Sequence, residues 1–366
     1  MRIEFVRRDN PAAWLRFASP LLAVALALAL AGLFFQLLGV DALRALYVFF
    51  IEPLETDWSR EDILIKSTPL ILIGAGLTVC FLSGTWNIGA EGQFVAGALA
   101  GSIMPLMFPM VEGIWVLPLM LILGAIGGAL CGMVPAQLKV RFGASEILVS
   151  LMMVYIMQLL LDWVVRGPWR DPQSFGFPKS RDFHASAELS VLPGFFDLHW
   201  GFPIAIVVAI GVFFFLSRTI GGFDVRVSGA APRAARFSGV SRARITVFVF
   251  AVSGGLAGLA GIVDVAGNAQ KLQPVISPGY GFTAIIVAFL GRLNLVGAIF
   301  AGLLLALTYI GGENAQLDLG LPVQATQVVQ GLLLFCVLAL DTFILYRLRW
   351  ISRQSAASGG TQGDLA

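Results

Sequence analysis

Residues 218–244 read RTIGGFDVRVSGAAPRAARFSGVSRAR. The stretch holds six arginines against one acid, Asp224, and apolar segments long enough to cross a bilayer precede and follow it. Its middle predicts a short helix, because Pro232 suits a first helical turn, Arg-Ala-Ala-Arg favours helix, and Gly239 is a natural stop. A basic helix held between two membrane spans is either a lipid-facing surface element or a docking site for another protein.

The composition of the whole chain is that of a membrane protein. Of its 366 residues, 58% are hydrophobic and 13% are charged, whereas soluble domains carry about 25% charged residues. The three cysteines lie inside apolar segments and the two histidines share one loop without a second ligand motif, so neither a disulfide framework nor a metal site is predicted. The net charge of +2 gives no indication of nucleic-acid binding. We therefore predict an all-α integral membrane protein.

Hydropathy predicts about ten transmembrane helices, of which one or two are short or broken. The third follows a glycine-rich polar break at 83–93, SGTWNIGAEGQ. The segment 281–291 rises only about 16 Å as a helix, against a hydrocarbon core of about 30 Å, so a half-helix is expected there. The predicted spans lie at about 20–40, 63–83, 89–108, 114–138, 146–165, 201–217, 245–266, 281–291, 294–310 and 323–345.

The distribution of lysine and arginine predicts the topology. With the N-terminus inside, the cytoplasmic side collects sixteen of these residues and the opposite side collects seven. This bias predicts a cytoplasmic N-terminal segment (1–19), a transmembrane domain (20–345) and a cytoplasmic tail (346–366). Within the domain, 166–200 becomes an extracytoplasmic loop and 218–244 a cytoplasmic loop.

Two segments indicate a weak internal repeat. Residues 81–100 and 289–306 each contain a Gly-x-x-Asn turn that runs into an apolar helix with a Phe-Ala-Gly-like start. The match needs small gaps, so chance similarity is the alternative. A real repeat would divide the chain into two related halves, and interrupted spans at matching places in two halves point to a substrate path.

The chain lacks the motifs of common enzyme classes. It contains no phosphate-binding G-x-x-x-x-G-K-[ST], no zinc-binding H-E-x-x-H and no G-x-S-x-G nucleophile elbow. We therefore predict no catalytic residue, no cofactor and no ATP hydrolysis in this chain.

Polar residues in or beside the spans are candidates for a substrate path. Asn87, Glu91 and Gln93 lie in the break, where an ionisable group is costly unless it faces protein or a water-filled cavity. The alternative is a cytoplasmic turn with a helix cap. Asp264 and Asn268 either line the outer mouth of a cavity, or Asp264 pairs with Lys271 at the membrane interface.

Several motifs, in this order along the chain, resemble one family. They are NIGAEGQ (87–93), GASEILVSLMMVYI (143–156), RGPWRDP (166–172), GAAPRAARFSGV (229–240) and SGGLAGLAG (253–261). Together they resemble the permease subunits of bacterial ABC importers, in the branched-chain amino acid/ribose permease superfamily. The first motif is typical of the simple-sugar and nucleoside branch.

The resemblance implies partners and a location. Such permeases lie in the bacterial plasma membrane, pair with a second related permease, receive substrate from an extracytoplasmic binding protein and dock a cytoplasmic ATPase. Docking uses a short helix in the cytoplasmic loop, where Arg233 stands in place of the family's glutamate. Ala234, Ala235 and Gly239 match the family's pattern. The ATPase-coupling residues that the resemblance implies are Pro232, Arg233, Ala234, Ala235, Arg236 and Gly239.

The substrate is expected to be a nucleoside, with ribose-like sugars or other small polar solutes as the alternative. The rival from another class is a stand-alone secondary transporter that couples protons or sodium through carboxylates such as Glu91 and Asp264. Because those acids are few and lie near span ends, the importer is the leading hypothesis.

Overall fold

The computed structural model describes residues 2–7 and 13–351, with side-chain surroundings for residues 22–340. The described residues are mainly helical, which confirms the all-α membrane fold. The helices are α1 (Ala13–Leu37), α2 (Ala42–Phe50), α3 (Asp57–Leu82), α4 (Ala90–Gly101), α5 (Ile103–Met107), α6 (Val116–Phe142), α7 (Glu146–Arg166), α8 (Gly201–Arg218), α9 (Ile220–Ala230), α10 (Pro232–Phe237), α11 (Arg242–Asp264), α12 (Tyr280–Leu290), α13 (Leu295–Leu319) and α14 (Gln324–Leu345).

Shorter elements complete the described chain. A π-helical turn, Val265–Ala269, continues α11, and 3₁₀ turns occupy Glu52–Leu54 and Ala185–Ala187. Two strands, β1 (Arg2–Arg7) and β2 (Tyr346–Ile351), pair antiparallel and bring the two ends of the described chain together. The sequence did not predict this pairing.

Every predicted span has a helical counterpart. Within the part of the chain that the structure describes, six helices are long and apolar enough to cross a membrane: α3, α6, α7, α8, α13 and α11 with its π turn. α1, α12 and α14 contain shorter apolar stretches among the described residues. The predicted third span is broken at Ser102 into α4 and α5. With twelve residues in α4 and eleven in α12, each rises less than about 20 Å, so both are half-helices.

The central helix of the bundle is α3. The Thr56 side chain accepts a hydrogen bond from Ser59 N at 3.3 Å and caps the start of the helix. The apolar run that follows is buried along most of its length, between α8, α11, α12 and α13. The helix ends at Leu82, and Gly84 then takes a positive φ of 74° that turns the chain into the break.

Small residues pack α11 tightly against α4 and α6. A Cβ added at Gly258 would lie 2.3 Å from Gly124 O and 2.7 Å from Gly128 Cα. Such backbone contact lets helices associate in lipid, where no hydrophobic force drives them together. The helix-packing face predicted for 253–261 is confirmed.

Candidate functional site

The break between α3 and α4 is braced by two buried amides. Asn87 Nδ2 donates to Gln93 Oε1 at 2.8 Å and to Ser253 Oγ at 3.0 Å, while Gln93 Nε2 donates to Asn87 Oδ1 at 3.0 Å. Gly89 N also donates to Asn87 Oδ1, at 3.1 Å. Asn87 and Gln93 are 0% and 1% exposed. These two predicted path residues therefore satisfy each other and connect the break, α4 and α11.

Glu91 lies where two half-helices meet. It stands in the first turn of α4, is 2% exposed, and its Oε2 accepts a hydrogen bond from Gly281 N of α12 at 2.6 Å. A Cβ added at Gly281 would lie 2.2 Å from Glu91 N. The N-termini of α4 and α12 thus touch at backbone distance. A carboxylate placed between two helix N-termini is favoured by both helix dipoles.

A cavity of about 220 Å³ opens beside Glu91. Its polar groups are Glu91, Gln158 of α7 and Ser277, whose Oγ accepts from Tyr280 N at 3.0 Å. Apolar walls with a few convergent polar groups are typical of small-molecule sites. The remaining lining residues are Val95, Leu161, Pro274, Val275 and Ile276.

Asp264 ends α11 and is 5% exposed, while Asn268 is exposed on the π turn. Among the described residues no hydrogen bond reaches the Asp264 carboxylate, and Glu91 and Lys66 lie within electrostatic range of it. The alternative pairing of Asp264 with Lys271 is wrong, because Lys271 Nζ lies 3.4 Å from Asp182 instead. Asp264 therefore remains a buried acid without a direct cationic partner in the described part of the chain.

A hydroxyl and amide network escaped prediction. Thr283 Oγ1 lies 2.8 Å from Tyr309 Oη and 3.2 Å from Gln330 Oε1, and Gln330 Nε2 donates to Thr308 Oγ1 at 3.2 Å. The Tyr280 and Tyr309 rings lie 5.5 Å apart. These residues are spread over three separate apolar helices, α12, α13 and α14. Sequence spacing therefore carried no signal that they meet.

The loop 166–200 is hydrogen-bonded to the rest of the bundle on two sides. Glu61 Oε2 of α3 accepts from the backbone N–H groups of Phe196, Asp197 and Leu198 at 2.9, 2.8 and 3.2 Å. On the other side, Ser180 N donates to Leu272 O at 2.9 Å. The loop is therefore hydrogen-bonded to the segment that follows the π turn and precedes α12.

His199 is buried at the end of this loop, outside the membrane-spanning helices. It is 2% exposed, its Nδ1 accepts from Gly201 N at 3.0 Å, and its ring packs against Gly267 of the π turn. Its Nε2 has no hydrogen-bond partner among the described residues. Burial lowers the pKa of His199 to about 4, because a buried site disfavours the charged imidazolium.

We expect the free energy of unfolding to fall as the pH is lowered from 6.5 towards about 4. The unfolded chain protonates His199 near its ordinary pKa, whereas the folded protein does so only near the lowered one, so acid favours the unfolded state. The loss corresponds to about 3 kcal/mol. Thermal unfolding midpoints in detergent across this range measure it. His199→Asn, whose Oδ1 replaces Nδ1 as acceptor, should give a flatter profile, and an equally steep one would assign the acid sensitivity to other groups.

The basic segment 218–244 forms α9 and α10. The predicted short helix is confirmed as α10, and Gly239 follows it with φ of 83°. Arg233, Ala234 and Arg236 are exposed, whereas Ala235 is 3% exposed because its side chain points towards the interior. A groove of about 440 Å³ runs beside the helix. Ala234 therefore belongs to the free surface and Ala235 to the packing that holds the helix.

A backbone contact joins this segment to the break. A Cβ added at Gly229, near the end of α9, would lie 2.1 Å from Leu82 O and 3.0 Å from Gly84 N. α10 begins three residues later, at Pro232. The end of α3 and the first residues of the break therefore rest directly on the element that carries α10.

Comparison with known proteins places the chain in a family. The family described as branched-chain amino acid transport system / permease component matches residues 59–338. The glucose ABC transporter permease protein TsgB13 of Haloferax volcanii is 34% identical over 351 residues, covering 93% of this chain and 92% of that protein. The guanosine ABC transporter permease protein NupP of Bacillus subtilis is 29% identical, covering 87% and 92%. The nucleoside ABC transporter permease protein NupB of Lactococcus lactis is 27% identical, covering 87% and 89%. The chain thus belongs to the permease-component family of the branched-chain amino acid transport systems, and within it to the branch of simple-sugar and nucleoside permeases.

Proposed function

We propose that this chain is the membrane-spanning subunit of an ATP-driven importer for nucleosides in the bacterial plasma membrane, with both termini cytoplasmic. The observation that carries the proposal is the contact between the α4 and α12 N-termini at Glu91, beside a cavity. Interrupted helices that meet inside a membrane protein are where transporters bind polar solutes. The guanosine and nucleoside permeases among the relatives support the choice of cargo.

A hexose is the second candidate cargo, because the glucose permease of Haloferax volcanii is 34% identical to this chain. Ribose and hexose rings both present hydroxyl donors, which suit the carboxylate of Glu91, and both are small enough for a cavity of about 220 Å³. A nucleoside adds a flat base, for which the apolar wall of Val95 and Leu161 provides a contact surface.

Each predicted path residue receives a role in this proposal. Glu91 contacts the cargo, and Asn87 and Gln93 hold the break at a fixed angle to α4. Asp264 and Asn268 line the outer part of the path. When ATP binding closes the partner ATPase, α10 moves and the break moves with it. The path then opens to alternate sides of the membrane. A second related permease completes the path, and an extracytoplasmic binding protein delivers the cargo.

Uptake by the complete complex in liposomes tests the proposal. We expect ATP-dependent accumulation of radiolabelled guanosine, competed by unlabelled nucleosides more strongly than by glucose. Stronger competition by glucose would assign the hexose as cargo. Accumulation driven by an ion gradient, without an ATPase, would contradict the importer and favour an ion-coupled transporter.

Glu91→Gln should lower the rate of nucleoside uptake roughly tenfold or more, since hydrogen bonds to a charged group contribute about 1.5–3 kcal/mol. The matched control is Glu112→Gln, which makes the same change at an exposed position. Uptake assays on complexes with equal subunit content give the comparison. Equal rates for the two variants would remove Glu91 from the path.

A further inference from the structure

The groove beside α10 is lined by positively charged side chains. It lies between the end of α9, α10 and the start of α11, and encloses about 440 Å³. Among the described residues, three arginines line it and no acidic residue does. The lining residues are Ser228, Pro232, Arg233, Ala235, Arg236, Phe237, Val240 and Arg242.

The guanidinium groups of the groove have no counter-ion within the described chain. Arg233, Arg236 and Arg242 are exposed, and none forms a salt bridge with another described residue. Asp224, the one acid between 218 and 244, does not line the groove. Like charges held together in a concave surface produce a potential that attracts an anionic group.

Ser228 provides a second, independent observation. The residue is 5% exposed, and its Oγ has no hydrogen-bond partner among the described residues although it lines the groove. Buried hydroxyls almost always have a partner, since an unsatisfied one destabilises the fold. A carboxylate that reached the floor of the groove would accept hydrogen bonds from the Ser228 hydroxyl and from two guanidinium groups at the same time.

An exposed aromatic ring extends the surface. Phe237 ends α10 and is 95% exposed. Aromatic and arginine side chains dominate the binding energy of protein interfaces when they enter pockets on a partner. Beside a basic groove, this ring favours a partner whose acidic patch borders an apolar pocket.

We propose that the groove receives an acidic side chain of the cytoplasmic ATPase, held by Arg233, Arg236 and the Ser228 hydroxyl, while Phe237 enters an adjoining apolar pocket. The inference rests on the proposed function, since it specifies the chemistry of that docking contact. In a contact made through a permease glutamate the permease supplies the negative charge, whereas here it supplies the positive charge. The partner surface must therefore be negative where this chain is positive.

Retention of the ATPase on the purified complex measures the contact. The double variant Arg233→Glu/Arg236→Glu should weaken retention roughly tenfold or more, as expected when charged partners at an interface are made alike. Raising the salt concentration should release the ATPase from the wild-type complex. The matched control, Arg226→Glu/Arg244→Glu, makes the same charge change at exposed arginines outside the groove and should retain it.

Further variants exclude a folding defect. Arg233→Lys/Arg236→Lys keeps the charge and should restore most of the retention, while Ser228→Ala should weaken it by a smaller factor. If the groove variant retains the same amount of ATPase as the control variant, the proposal is overturned, whether both retain the ATPase or both lose it. Undiminished retention with loss of binding to phosphatidylglycerol vesicles, relative to phosphatidylcholine, would also overturn it and assign the groove to lipid. Absence of ATP-dependent uptake by a wild-type complex that retains its ATPase would contradict only the proposed function.

Discussion

Gly229→Ala should uncouple ATP hydrolysis from uptake. The new Cβ would lie 2.1 Å from Leu82 O and 3.0 Å from Gly84 N. Both are backbone atoms that no side-chain rotation can move, so α9 must withdraw from the end of α3. We expect uptake to fall roughly tenfold or more, with a loss of about 1–3 kcal/mol in stability, as for other overpacked sites. ATP hydrolysis by the assembled complex should continue, because none of the exposed residues of α10 is substituted.

The matched control for this variant is Gly211→Ala in α8. A Cβ added at Gly211 meets no atom of a described residue within 4 Å, so uptake and hydrolysis should both resemble those of the wild type. Parallel measurement of phosphate release and cargo accumulation separates uncoupling from loss of assembly. Uptake within a factor of two of wild type in Gly229→Ala would mean that the contact with the break does not transmit motion.

Gly281→Ala should produce the second large effect. Its Cβ would lie 2.2 Å from Glu91 N and 2.5 Å from Glu91 Cα. The N-termini of α4 and α12 would have to separate, and the hydrogen bond from Gly281 N to Glu91 Oε2 would lengthen. We expect a loss of about 1–3 kcal/mol in unfolding free energy from overpacking. The thermal midpoint should fall, and uptake should fall with it because Glu91 loses its position.

Gly331→Ala in α14 is the control for the second variant. Within the described chain, a Cβ at this position meets nothing within 4 Å, and alanine stabilises a helix relative to glycine by about 1 kcal/mol. Its thermal midpoint should therefore equal or exceed that of the wild type. A midpoint for Gly281→Ala as high as this control would show that the two half-helices can part without cost.

Features written locally in the chain were predictable. The spans follow from apolar length, the break at 83–93 from its glycines and polar residues, and the short α12 from the limited length of its apolar segment. Pro232 and Gly239 marked the start of α10 and the turn that follows it. In each case the signal and the structure occupy the same few residues, so no tertiary information was needed.

Contacts between distant parts of the chain were not predictable. Glu91 and Gly281 are 190 positions apart, and the salt bridge between Lys66 and Glu313 joins α3 to α13 across 247 positions. Hydropathy cannot identify such partners, because the lipid-facing and protein-facing sides of a membrane helix are both apolar. The contact of Gly229 with the end of α3 could not be predicted for the same reason, because it joins parts of the chain that are distant in sequence.

The predicted relation between the two halves of the chain stays a prediction. The turns that suggested it lie side by side, since the rings of Phe81 and Phe289 stack with centroids 5.2 Å apart and Trp86 joins them at 5.2 and 5.9 Å. Their proximity places both turns at one end of the bundle.

The double fastening of the loop 166–200 has a practical consequence for labelling. Glu61 holds one part of the loop through three backbone N–H groups, and Ser180 pairs another part with Leu272. An epitope inserted between these anchors would pull on α3 and on the approach to α12 together. The exposed stretch around Met110 and Ile114 has neither anchor, which makes it the better place for a reporter tag that leaves α3 and α12 undisturbed.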